Sequence, residues 1–106
     1  MFDALEVSFQ VMEQLVPIEE RIRRHNLALG KQLARASESV VLNLGEGQAR
    51  EDGDRRRHYE MARGSAGEVT VALRFAALRC YISRDEHAAV DAVLDRVRAM
   101  LYRMTR

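Results

Sequence analysis

Apolar residues recur at intervals of three and four along almost the whole chain, and this periodicity leaves little but helices to build with. The first segment, from about Phe2 to Arg24, carries two apolar stripes. One is Phe2, Leu5, Phe9, Met12 and Val16; the other is Val7, Val11, Leu15, Ile18 and Ile22. At about 100° per residue the two stripe centres lie more than a third of a turn apart. A surface helix of a monomer needs a single stripe, so the second calls for another neighbour, such as a further subunit. Pro17 lies mid-segment and is expected to kink or split this helix, since it lacks the N–H of an interior turn.

His25 and Asn26 interrupt the pattern, and Asn26 is suited to cap a second helix over about Leu27 to Glu46. Leu29, Leu33, Ala36, Val40 and Leu44 form its core face, and Gly45 and Gly47 are expected to end it. Gln48 to Asp54 reads as a polar loop, with Asp52 or Asp54 capping a third helix over about Arg55 to Tyr81. There Ala62, Ala66, Val69, Leu73, Ala76 and Cys80 keep heptad spacing, several of them small enough for a close neighbour. Ser83-Arg84-Asp85-Glu86 is a capping box. It opens a fourth helix with a seam of Val90, Val93, Val97, Leu101 and Met104. The polar stripe of that helix, Asp91, Asp95 and Arg98, is narrow, which again suggests burial on more than one side. Short connections between long helices favour an up-down-up-down four-helix bundle, all-α, as one domain over residues 1–106.

A chain of 106 residues buries only about two-thirds of the surface its unfolded form exposes, so association with further copies would help it. The one cysteine, Cys80, rules out an internal disulfide and is expected to fill core space. No apolar run approaches the roughly 20 residues that cross a bilayer, and the acidic N-terminus does not resemble a secretory signal. A cytoplasmic protein with no membrane association is the expectation. The net charge of +1 hides an asymmetry. The first twenty residues hold Asp3, Glu6, Glu13, Glu19 and Glu20 and no base; the remainder carries all 17 bases, every one but Lys31 an arginine.

The familiar catalytic patterns are missing. There is no Glu-x-x-His pair for a di-metal bundle site, no cluster of Cys and His at ligand spacing, and no phosphate-binding glycine loop. The expectation is a non-enzyme without metal or cofactor. The densest basic patch is Arg50, Arg55, Arg56 and Arg57, extended along the third helix by Arg63 and Arg74. Phosphate contact is one reading; a solvated face neutralised by Glu51, Asp52 and Asp54 is the other. A second set is polar: Gln32, Ser39, Asn43 and Glu46 recur at helical spacing on the second helix, Ser65 and Glu68 on the third. Buried polar groups need partners, so these are expected to form a structural hydrogen-bonded network between the two helices; a binding or acid–base role is the alternative.

The same residues carry a resemblance. Gln32-Leu33-Ala34-Arg35-Ala36-Ser37-Glu38-Ser39-Val40-Val41-Leu42-Asn43-Leu44-Gly45-Glu46-Gly47 resembles the Q-x-x-R-A-x-x-S-I-x-x-N-I-A-E-G signature of the four-helix bundle proteins encoded in 23S rRNA intervening sequences. Ala62-Arg63-Gly64-Ser65-Ala66-Gly67-Glu68 is similar to that family's A-x-G-S-x-x-E. Gly45 replaces the usual Ala, and Pro17 lies earlier than the usual Pro before the second helix. The resemblance implies a bundle that assembles as a ring, commonly a pentamer. A related branch, the accessory proteins of diversity-generating retroelements, is a basic pentameric barrel that binds nucleic acid and partners a reverse transcriptase. The family brings no catalytic residues. Taken together, these readings lead to a homo-oligomeric bundle, expected to be a pentamer, that binds RNA or DNA as an accessory factor. The rival is a structural or adaptor oligomer for a protein partner, with no nucleic-acid affinity.

Overall fold

The computed structural model describes residues 3–106. Four helices follow one another: α1 (Ala4–His25), α2 (Leu27–Gln48), α3 (Asp52–Leu78) and α4 (Arg84–Thr105). Each packs against its two neighbours, α1 closing the cycle on α4, and the most extensive contact is between α2 and α3. This is the up-down-up-down arrangement that short connections impose.

The shortest connection is Asn26 alone. Its backbone N–H closes α1 on the Ile22 carbonyl, and its side chain accepts the Leu29 N–H at the start of α2. So sharp a reversal presses α2 onto α1. Gly30 is the residue at that contact: a Cβ there would lie 2.3 Å from Arg23 Cγ. The Ser83–Glu86 capping box forms in full and starts α4.

The second stripe of α1 enters the core: Val7, Val11, Leu15, Ile18 and Ile22 are all buried. They meet Leu33, Ala36, Val40 and Leu44 of α2, Ala62, Ala66, Val69, Leu73 and Ala76 of α3, and Val90, Leu94, Val97 and Leu101 of α4. Each fully buried leucine contributes about 1.5–3 kcal/mol. Val93 and Met104, expected in the α4 seam, are half-buried, as is Leu29 of α2, and Leu94 takes the central place in α4. The first stripe of α1 stays outside the core, with Phe9 and Val16 exposed and Leu5 and Met12 half-buried; Phe2 lies outside the described residues.

Several sequence expectations are corrected here. Pro17 does not split α1, which runs through it unbroken. Pro17 and Glu13, the residue whose carbonyl loses its donor, are both exposed, so water can serve that carbonyl. Gly45 and Gly47 do not end α2; both lie within it, and no described glycine has a positive φ. The third helix begins three residues early, capped by Glu51 without a side-chain bond, and Asp52 adopts φ 52°.

Cys80 is also not a core residue. It is exposed, with φ 61°, just beyond the end of α3. The Tyr81 N–H reaches back to the Ala76 carbonyl and the Cys80 N–H to that of Ala77. That is the paired bonding by which a left-handed residue closes a helix, a position normally held by glycine.

Candidate nucleic-acid interface

The arginines of residues 50–57 are engaged by the bundle itself. Arg50 lies 3.2 Å from Glu46 and 3.3 Å from Asp54. Arg57 lies 2.9 Å from Asp54, and its hydrogen bond holds that carboxyl below the ordinary range, with the charges of Arg57, Arg50 and His58 acting in the same direction. Arg55 donates to the carbonyls of Gly47, Gln48 and Arg50. Arg56 pairs with Glu60 at 3.0 Å and donates to the carbonyls of Thr105 and Arg106.

The last two contacts explain why basic residues stand at a helix start, where the dipole disfavours them. The first turn of α3 lies beside the C-terminal ends of α2 and α4. A helix end leaves carbonyls without intrahelical donors, and Arg55 and Arg56 supply donors to those of the neighbouring helices.

Arg63 and Arg74 differ. Among the described residues neither has a carboxylate within 4.0 Å. Arg63 lies over the Tyr102 ring, its guanidinium carbon 5.1 Å from the centroid, and reaches Thr105 Oγ1 at 3.4 Å. Arg74 is exposed beside the α3–α4 turn. On α4, Arg98 binds Asp91 at 2.9 Å, Asp95 at 3.1 Å and Thr70 Oγ1 at 2.9 Å. Its pKa is raised, chiefly by the hydrogen bond to Asp91. The narrow polar stripe of α4 is therefore a local ion cluster.

The polar set divides. Ser65 Oγ donates to Ser39 Oγ at 2.7 Å, and Asn43 Nδ2 donates to Ser39 Oγ at 3.1 Å. Asn43 Oδ1 lies 3.1 Å from His58 Nδ1, which extends the chain to a residue that sequence spacing did not single out. These four are half-buried, so the chain is a seam along the edge of the α2–α3 contact. Gln32, Glu46 and Glu68 are exposed and stand outside it: Glu46 pairs with Arg50, and Gln32 and Glu68 line a shallow recess with Lys31 and Arg35. Their expected place in one hydrogen-bonded network is corrected: none of the three bonds to Ser39, Asn43 or Ser65, although Gln32 and Glu68 border the same recess as the two serines. No group of three or more His, Cys, Asp or Glu that could hold a metal occurs among the described residues.

The 23S rRNA-intervening sequence protein family matches this chain over residues 2–103. The chain belongs to that family. No curated protein matches it. A crystal structure of a protein of unknown function from the S23 ribosomal protein family of Bacteroides thetaiotaomicron superimposes with a TM-score of 0.90 at 16% identity, covering 97% of this chain and 98% of that one. That likeness shows a shared fold.

The family's signature positions have physical duties in this structure. Ser39, Asn43 and Ser65 form the hydrogen-bonded chain. Gly47 makes room for the buried Tyr59, whose ring would stand 2.4 Å from a Cβ at that position. Gly45, where the family usually has alanine, has nothing within 4 Å of such a Cβ. His58, Tyr59, Tyr102 and Arg103 were not nominated from the sequence. Tyr59 sits at the third-helix start amid charge, and Tyr102 and Arg103 lie far along the chain from the basic patch, so periodicity carried no signal that joined them to it.

Proposed function

We propose that the protein is a non-enzymatic homo-oligomer, a closed ring of five copies, that binds nucleic acid as an accessory factor. The observation that carries this reading is apolar surface left open on two sides of so small a bundle. Phe9 and Val16 face outward from α1. Val71, Phe75 and the 78% exposed Leu78 face outward from α3. Between α2 and α3, a groove of about 730 Å³ is bordered by Leu29, Gly64, Gly67, Val71 and Phe75. Contiguous apolar surface of this kind marks an interaction site. Two separate patches suit a head-to-tail contact that closes into a ring.

Phosphate contact would fall to Arg63 and Arg74, two of the arginines with no carboxylate within 4.0 Å among the described residues, repeated around the ring so that weak contacts add through avidity. The dense patch at Arg50–Arg57 favours the rival, an adaptor oligomer without nucleic-acid affinity, because those side chains are already engaged.

Native mass spectrometry at micromolar concentration should give a closed oligomer, with monomer alone overturning the assembly. Protein purified at low salt should carry excess absorbance at 260 nm. A clean protein spectrum, together with no binding of labelled RNA or DNA, would establish the adaptor reading instead.

A further inference from the structure

We infer that the groove between α3 and α4, lined by Arg63, Gly67, Arg98, Ala99, Tyr102 and Arg103, is a nucleotide subsite for a single strand. The base stacks on the Arg63–Tyr102 pair and its phosphate lies between Arg63 and Arg103. The inference rests on the nucleic-acid reading above and moves its centre away from residues 50–57.

Available charge is the first argument. Arg50, Arg56 and Arg57 each have a carboxylate within 3.3 Å. Among the described residues Arg63 and Arg103 have none within 4.0 Å. The carboxylate in the groove lining, Asp95, is held by Arg98 at 3.1 Å, so it opposes an incoming anion only weakly. A phosphate that approached residues 50–57 would have to displace an existing partner. One that approached Arg63 and Arg103 would not.

The second argument is the aromatic ring. Tyr102 is 52% exposed although it lies on a helix whose core face is filled by Leu94, Val97 and Leu101. The guanidinium of Arg63 lies over it, positioned by Thr105. A planar guanidinium on a tyrosine offers stacking surface for a base, and single strands are bound through just such aromatic and arginine planes. A duplex keeps its base faces inside the stack and cannot use them.

The third argument is the floor. No heavy atom lies within 4 Å of a Cβ built on Gly67, so nothing inside the bundle requires glycine there. Mid-helix glycine costs about 1 kcal/mol relative to alanine. The missing side chain leaves the groove open, at about 480 Å³, which is within the range that takes a small ligand.

Fluorescence anisotropy tests this with a labelled oligonucleotide, single-stranded and as its duplex, in RNA and DNA forms, over a salt series. The single strand should bind more tightly than the duplex, and the tighter of the RNA and DNA arms identifies the natural source. Tyr102→Ala should weaken single-strand binding about tenfold or more, the usual effect of losing one stacked base, and Tyr102→Phe should retain it. Arg103→Ala should reduce the salt slope by about one unit. Arg57→Ala, outside the groove, should match the parent. Gly67→Leu should fill the floor and block binding; a Cβ there has no heavy atom within 4 Å. Because Gly67 also borders the α2–α3 groove, native mass spectrometry that gives the parent's oligomer for this variant keeps the test decisive if Tyr102→Ala folds poorly.

Binding by the parent that survives Gly67→Leu and Arg103→Ala unchanged overturns the subsite and leaves the nucleic-acid reading standing. Duplex preferred over single strand, or full competition by polyglutamate, also overturns the subsite. No binding by the parent of any strand at low salt overturns both.

Discussion

The corner where α2 passes into α3 and the face where α3 meets α4 both carry arginines, and they use them in opposite ways. At the corner, charges are dense and every cation has a partner inside the bundle. On the α3–α4 face Asp95 is held by Arg98, and among the described residues Arg63 and Arg103 have no carboxylate within 4.0 Å. Density of charge along a sequence therefore does not measure what is available to a ligand. Arg50 and Arg57 are neutralised by acids three or four residues away, and Arg55 and Arg56 find carbonyls at the ends of neighbouring helices. Arg63, three residues from Glu60, has no such acid because Glu60 is taken by Arg56. The glycines divide in the same way: Gly47 at the corner admits the Tyr59 ring, whereas Gly67 on the open face has nothing against it.

The largest expected effect tests whether the corner is closed. Gly47→Ala drives a methyl into the Tyr59 ring and should destabilise the protein by about 1–3 kcal/mol, the usual range for overpacking. Gly45→Ala, two residues away with open space around it, should stabilise by up to about 1 kcal/mol. Chemical denaturation of both variants measures the pair. Equal and opposite-to-expected shifts would mean that Tyr59 does not pack on α2.

A smaller loss should follow Arg56→Ala. It removes the donor to the last carbonyls of α4 and should cost about 1 kcal/mol, a typical net value for a lost hydrogen bond. Amide exchange should rise most in the last turn of α4. If Arg56→Ala instead leaves stability unchanged and abolishes nucleic-acid binding, the corner is the interface and the comparison is reversed.

The smallest effect is electrostatic. Asp54 is held below the ordinary carboxylate range by the hydrogen bond from Arg57. A folded-state pKa below the unfolded value means that its contribution is present above the unfolded value and is lost as pH falls through the depressed one. In an NMR titration, Arg57→Ala should move the Asp54 midpoint upward, towards the ordinary range. An unmoved midpoint would show that Arg57 is free in solution and available to a ligand.

Much of the fold was legible in the sequence. The two apolar stripes of α1, the Asn26 cap and the Ser83–Glu86 box all follow from spacings within one turn or two, although which stripe is buried does not. Cys80 shows where such reading stops. It continues the heptad spacing of Ala76, so periodicity placed it in the core, yet the helix ends two residues before it and the αL turn carries it outward. Of the candidate site, Ser39, Asn43 and Ser65 were found by helical spacing because all lie along one edge of their helices. Gln32, Glu46 and Glu68 keep the same spacing but are exposed and make no bond to that chain, and spacing alone cannot distinguish the two cases.

Helix periodicity and helix caps depend on contacts between residues a few positions apart, and these the amino-acid order determines by itself; which of the two apolar stripes of α1 faces the core was decided by the packing. Which arginines are free, why Gly47 must be glycine, and that Tyr102 lies beneath Arg63 depend on residues brought together from distant parts of the chain. Arg56 meets a carbonyl 49 positions away, and His58 meets an amide 15 positions back on the preceding helix. Only the packing of α2, α3 and α4 decides those meetings, because side-chain reach is a few ångströms and the partners share a neighbourhood only once the helices have docked.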